Sequence, residues 1–245
     1  MRSVKIIGAL ATAVCALFVA AVPALAHEFT ASQYNKTISP GTPVGLKGGS
    51  EEEQEFRLAQ FKFTCEKTVV KGKVYNASSE TLYNTVKFTA CKTYLTPEKS
   101  REKLEFKVKF KQPFDFEYHA NGYVGSGGES ESEVDLVNPG PVEAMVVGTK
   151  CVLSWLPQVI PVRAEKKPEG EYSAATFSNE EVANTNLKMF PSGFQTKLVI
   201  TNVFSHLKTE VGEGKCEEFE KTETKLGYYK GSFTEEIPRG NLGFN

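Results

Sequence analysis

This chain has little of several things that would mark a function. Its 29 lysines and arginines are matched by 30 aspartates and glutamates, for a net charge of −1. The basic footprint that accompanies nucleic-acid binding is missing. There are only three histidines, His27, His119 and His206, and one tryptophan, Trp155. A serine nucleophile needs an imidazole base and a group to orient it, so three histidines leave few arrangements. The G-x-S-x-G elbow does not occur, and Gly125-Ser126-Gly127-Gly128 is no substitute for it. That glycine run also lacks the lysine and helix start of a phosphate-cradling loop. No two cysteines show the two-to-four-residue spacing usual in zinc sites. Carboxylates are plentiful, so a glycosidase pair is not excluded by composition. A single Trp155 is a thin supply of the aromatics that line glycan clefts.

What is present begins at the first residues. Arg2 and Lys5 precede an uncharged apolar run from Ile6 to Val22, then Pro23 and the small residues of Ala24-Leu25-Ala26. This is the three-part pattern of a secretory signal, residues 1–26, cleaved after Ala26. The run is also long enough to span a bilayer if left uncut, but Pro23 and the small residues stand where a peptidase needs them. The expected product is a secreted, extracellular chain running from His27 to Asn245, with no stable membrane insertion after cleavage. Cys15 leaves with the signal. Cys65, Cys91, Cys151 and Cys216 remain, an even set that in an exported protein reads as two disulfides. Of three connectivities, Cys65–Cys91 and Cys151–Cys216 close the shorter loops and are preferred.

Period-two alternation dominates the body of the chain. Lys103 to Lys111 sets Leu104, Phe106, Val108 and Phe110 against Glu105, Lys107, Lys109 and Lys111, the pattern of a half-buried strand. Phe114, Phe116 and Tyr118 alternate with Asp115, Glu117 and His119. Ala59, Phe61, Phe63 and Cys65 repeat the pattern, as do Leu82, Val86, Phe88 and Ala90, and later Leu198, Ile200 and Phe204. Cys91 falls out of phase with Phe88, which predicts a bulge or a strand end there. His206 shares the phase of Phe204 and is expected on the core side. One short helix is predicted after Ser50-Glu51-Glu52-Glu53, which has capping-box spacing before Phe56 and Leu58. The fold class is all-β, an antiparallel sandwich or barrel. The polar stretch 121–141 either joins two lobes, 27–120 and 142–245, or is a long loop within one domain.

The order FKFTC, Lys71-Gly72-Lys73-Val74, VKFTAC, CVLSWLPQ, GKC and Tyr229-Lys230-Gly231-Ser232-Phe233 resembles a group of uncharacterised exported β-rich proteins found in many copies in some soil actinobacteria. The resemblance spans roughly residues 57 to 245 as a loose pattern of cysteine, glycine and aromatic positions. It implies secretion, two disulfides and a β fold. It transfers no catalytic residue.

Three chemistries can be drawn from the polar residues. A mature N-terminal His27 offers its α-amine and ring nitrogen to copper, and His119 or His206 would complete the set. Asp115, Glu117 and His119 form a row on one strand face, either a ligand set or a solvated surface. Glu129, Glu131, Glu133 and Asp135 are oxygen ligands of the kind calcium takes, although alternating serine and glutamate after glycines also describes a hydrated loop. The first expectation is an exported, non-catalytic β protein with a binding or structural role at or outside the cell surface, without a cofactor. The alternatives are a copper-binding protein or copper oxidase using His27, and a carbohydrate-binding module using Trp155.

Overall fold

A computed structural model of the chain describes residues 28–58, 61–95, 102–124, 130–160, 174–211, 216 and 226–245, without the side chains of 121–132, 174 and 226. The expected signal, 1–26, and His27 lie outside the described residues. Among those described there is no helix. Strands β1 (Phe29–Gln33), β2 (Val44–Ser50), β3 (Gln54–Leu58), β4 (Phe61–Val74), β5 (Ser78–Ser79), β6 (Thr81–Leu95), β7 (Leu104–Phe110) and β8 (Phe114–Val124) make the first half. Strands β9 (Ser130–Leu136), β10 (Val142–Val146), β11 (Val152–Trp155), β12 (Gln158–Ile160), β13 (Ala174–Ala183), β14 (Phe194–Val211), β15 (Leu226–Glu236) and β16 (Gly240–Phe244) make the second.

The antiparallel pairings close on themselves. Around one end the order is β6, β8, β9, β13, β14, β15, β2, β4 and back to β6. Around the other it is β6, β7, β10, β11, β14, β15, β3, β4 and back to β6. Four staves of this barrel are single long strands shared by both rings. The other four are interrupted, at 51–53 between β2 and β3, at 111–113 between β7 and β8, at 137–141 between β9 and β10, and along β11, β12 and β13. Staves adjacent in sequence are adjacent in space, so the architecture is an eight-stave up-and-down barrel. Residues 121–124 and 130–136 are the arms of the β8–β9 hairpin. Strands from both sides of that hairpin belong to the same rings.

The predicted helix is absent. Ser50 Oγ does accept the Glu52 N–H at 2.9 Å, as a cap would. However, Gln54, Phe56 and Leu58 all point inward with a period of two, and a helix would turn them out of the barrel. A helix this short has little stability of its own to oppose that burial.

Inward faces are mostly apolar and outward faces mostly polar or charged, the reverse of a barrel whose outer surface meets lipid. Among the described residues, no helix is long and apolar enough to cross a membrane. The interior is filled by aromatic rings centred on Phe56. Its ring lies 4.9 Å from those of Phe63 and Phe88, 4.8 Å from Tyr229 and 5.9 Å from Trp155. The cavity left within this layer, between Phe56, Phe116, Trp155, Phe204 and Tyr229, is about 10 Å³, no more than one water needs. Phe56→Ala should therefore leave a large void and cost about 3–5 kcal/mol, read from the denaturant midpoint. A cost below about 1 kcal/mol would contradict this packing.

A three-stranded sheet of β16, β1 and β5 covers one end of the barrel. Phe29, Phe177 and Phe244 cluster there with ring centroids 4.8–5.0 Å apart. Asn179 ties β16 to the barrel by donating to the Phe244 carbonyl and accepting its N–H, both at 2.8 Å.

Both expected disulfides are present. Cys65 and Cys91 are directly opposite on β4 and β6. Cys151 precedes β11 and bonds Cys216 in the connection from β14 to β15. Beside the first bridge Cys91 is out of phase with Phe88, but the expected bulge or strand end is not found: β6 runs on to Leu95 in unbroken register with β4. Ala90 takes φ 53°, which turns its methyl outward and Cys91 inward. The expectation for His206 is overturned. An irregularity lies between Phe204 and Leu207, where His206 takes φ 59°. Ser205 and Leu207 are buried and His206 is exposed.

Candidate functional site

Above the aromatic layer the barrel holds a polar layer. Glu235, Asn84, Asn202, Gln54, Tyr118 and Tyr229 all face inward and are buried. Strand register explains how they fit. Glu235 is directly opposite Gly48, Asn84 opposite Gly72, and Asn202 opposite Gly231. A Cβ at Gly72 would overlap Asn84 Oδ1, and one at Gly231 would overlap Gln54 Oε1. Each glycine thus gives its volume to a larger polar neighbour, which keeps the total filling constant.

The hydrogen bonds in this layer are uneven. Tyr229 donates to Gln54 Oε1 at 2.8 Å and Tyr118 donates to Asn202 Oδ1 at 3.2 Å. Gln54 donates in turn to the carbonyls of Glu52 and Ser232. Neither carboxylate oxygen of Glu235 is hydrogen-bonded to a described residue. Burial pushes its carboxyl up to about 8, and the Asn84 carboxamide alongside holds the rise back only in part. Burial likewise drives both phenols well above the usual tyrosine range. At neutral pH the layer is therefore a neutral, protonated acid among amides and phenols. It can respond to pH. It lies between the aromatic layer and the Phe29 cluster.

The outer face carries the residues singled out from sequence. His119 is about a quarter exposed, and its Nε2 lies 3.3 Å from Asp135 Oδ2 and 3.8 Å from Glu117 Oε1. Asp115 does not join them. It accepts from Thr85 Oγ1 at 2.7 Å and from Asn138 Nδ2 at 3.1 Å. Glu131, Glu133 and Asp135 belong to β9 rather than to a loop, and Glu129 lies outside the described residues. Among the described residues no three His, Cys, Asp or Glu side chains are placed to hold a metal. Trp155 is 1% exposed, so its ring cannot serve as a platform for a sugar.

A shallow trough opens on the outer face of β6 and β7. Its volume is about 490 Å³, with Ala90, Val108 and Val147 among its lining residues and Lys92, Lys107 and Lys109 along it. The Ala90 kink supplies the small outward side chain that makes the depression.

Comparison with known proteins returns no match, whether to a family model, a curated protein or a solved structure.

Sequence reasoning passed over the polar layer. A signal for it exists, since Phe233, Glu235 and Ile237 share one strand phase and a charged residue among inward positions stands out. The three partner glycines carry no such mark, because a glycine opposite a large side chain is recognisable only once the register is known.

Proposed function

We propose that this chain is an exported, non-catalytic protein that acts by binding or by structural contact through its outer surface. The observation that carries this reading is the filled barrel. Up-and-down barrels that hold a ligand inside keep a cavity for it, whereas here the aromatic layer leaves about 10 Å³. Contact is then made by outward strand faces and the loops at the barrel ends. The two disulfides support export, because such bridges persist in oxidising surroundings, and so does the signal-like segment 1–26. Purified mature protein incubated with broad panels of hydrolase and oxidase substrates should show no turnover. Reproducible turnover that disappears in heat-denatured samples would end the proposal.

A further inference from the structure

We infer that the lysine-lined trough on β6 and β7 is a docking surface for a carboxylated polysaccharide; this rests on the reading of the chain as an exported binding protein and gives that reading a partner class. The charge on this face is segregated. The chain is almost neutral overall, yet outward positions of β4, β6 and β7 carry lysine far more often than carboxylate. Lys92 and Lys107 are directly opposite on neighbouring strands, a like-charge pair that works against sheet stability. Of the trough's two carboxylates only Glu66 is in an ion pair among the described residues, and Glu105 keeps its charge, so three lysines face two carboxylates. Glu66 pairs with Lys92 at 2.9 Å, and Glu105 accepts from Tyr94 Oη at 2.7 Å. Lys107 and Lys109 are in no ion pair among the described residues, and with Glu105 beside them on β7 the trough keeps a net positive charge.

The kind of anion follows from the lining. Lysine is a point charge on a flexible stem and lacks the planar fork with which arginine grips a single oxyanion. Lysines spaced along a shallow open groove suit charges spaced along a polymer. Val147, 47% exposed, and Ala90 give the groove an apolar floor, against which the C–H faces of sugar rings can lie. A polyphosphate chain has the charge but no such faces.

The test is affinity of the mature protein for polygalacturonate, with long-chain polyphosphate and neutral dextran as comparison polymers, together with a reducing-end assay on the same mixtures. Wild type is expected to bind polygalacturonate more tightly than polyphosphate, not to bind dextran, and to weaken as salt rises. Lys107→Gln with Lys109→Gln should weaken polygalacturonate binding roughly tenfold, two exposed charge contacts being worth about that much in water. Lys188→Gln, on the β13–β14 connection, should leave it unchanged. No binding by wild type, tighter binding of polyphosphate, or equal weakening by Lys188→Gln overturns the inference. New reducing ends with binding intact would instead overturn the non-catalytic reading and leave the docking surface in place.

Discussion

Reducing both disulfides should take the protein to the edge of unfolding. The bridged residues are 26 and 65 positions apart, and chain entropy assigns about 3.5 and about 4.3 kcal/mol to loops of those lengths. The loops do not overlap in sequence, so their effects should add. A combined loss of about 8 kcal/mol is comparable with the whole stability of a typical domain, about 5–15 kcal/mol. The bridges differ in what they do for the folded state. Cys65 and Cys91 are already opposite on paired strands, so their bond acts chiefly on the unfolded chain. The Cys151–Cys216 bond also anchors the β14–β15 connection to the start of β11. Denaturant titrations of the native protein, of Cys65→Ala/Cys91→Ala and of Cys151→Ala/Cys216→Ala separate the two. Unchanged midpoints in both double variants would show that the barrel does not depend on its bridges.

Glu235→Gln should flatten the pH dependence of stability. The ordinary carboxyl value of 4.5 applies to Glu235 in the unfolded chain, and burial raises the folded value to about 8. Between those pH values the native state holds a proton that the unfolded state has released. Stability from this group is therefore complete below about pH 4.5 and falls as pH rises toward 8. At about 1.4 kcal/mol per unit, the loss is on the order of 5 kcal/mol. The substituted glutamine keeps the shape of the side chain, has no charge to bury, and turns an amide toward Asn84. Wild type and variant should be similar near pH 4.5 and diverge steadily up to pH 8, the variant being the more stable. Parallel profiles across that range would show that Glu235 does not carry this titration.

The same layer shows how far the amino-acid order can be read. Phe114, Phe116 and Tyr118 alternate in sequence and are buried in the structure, because one period decides which side of a strand each residue takes. The phase break at Cys91 is visible in the same way, as an apolar residue out of step, and Ala90 resolves it with φ 53° rather than with a bulge. His206 fails because its own phase is intact in the sequence. The irregularity that turns it outward is set where β14 meets β15 between Phe204 and Leu207. Ser50 has a helix cap's chemistry and still ends strand β2, because burial of Phe56 among six other rings outweighs one local hydrogen bond. Of the residues proposed from sequence as ligands, the described ones are brought together only in part: His119 meets Asp135 and Glu117, and Asp115 turns to Thr85 and Asn138.

By itself, then, the order of residues determined that this is an antiparallel all-β protein and where most strands run, and it favoured the cysteine pairing that the structure shows. Those are consequences of short-range periodicity and of loop length. The closure of eight staves into one barrel, the placing of Glu235, Asn84 and Asn202 opposite Gly48, Gly72 and Gly231, and the crowding of lysines beside Ala90 were decided only by the tertiary structure. Each of these depends on which residue sits across the next strand, often far away along the chain, and alternation along one strand carries no information about that neighbour.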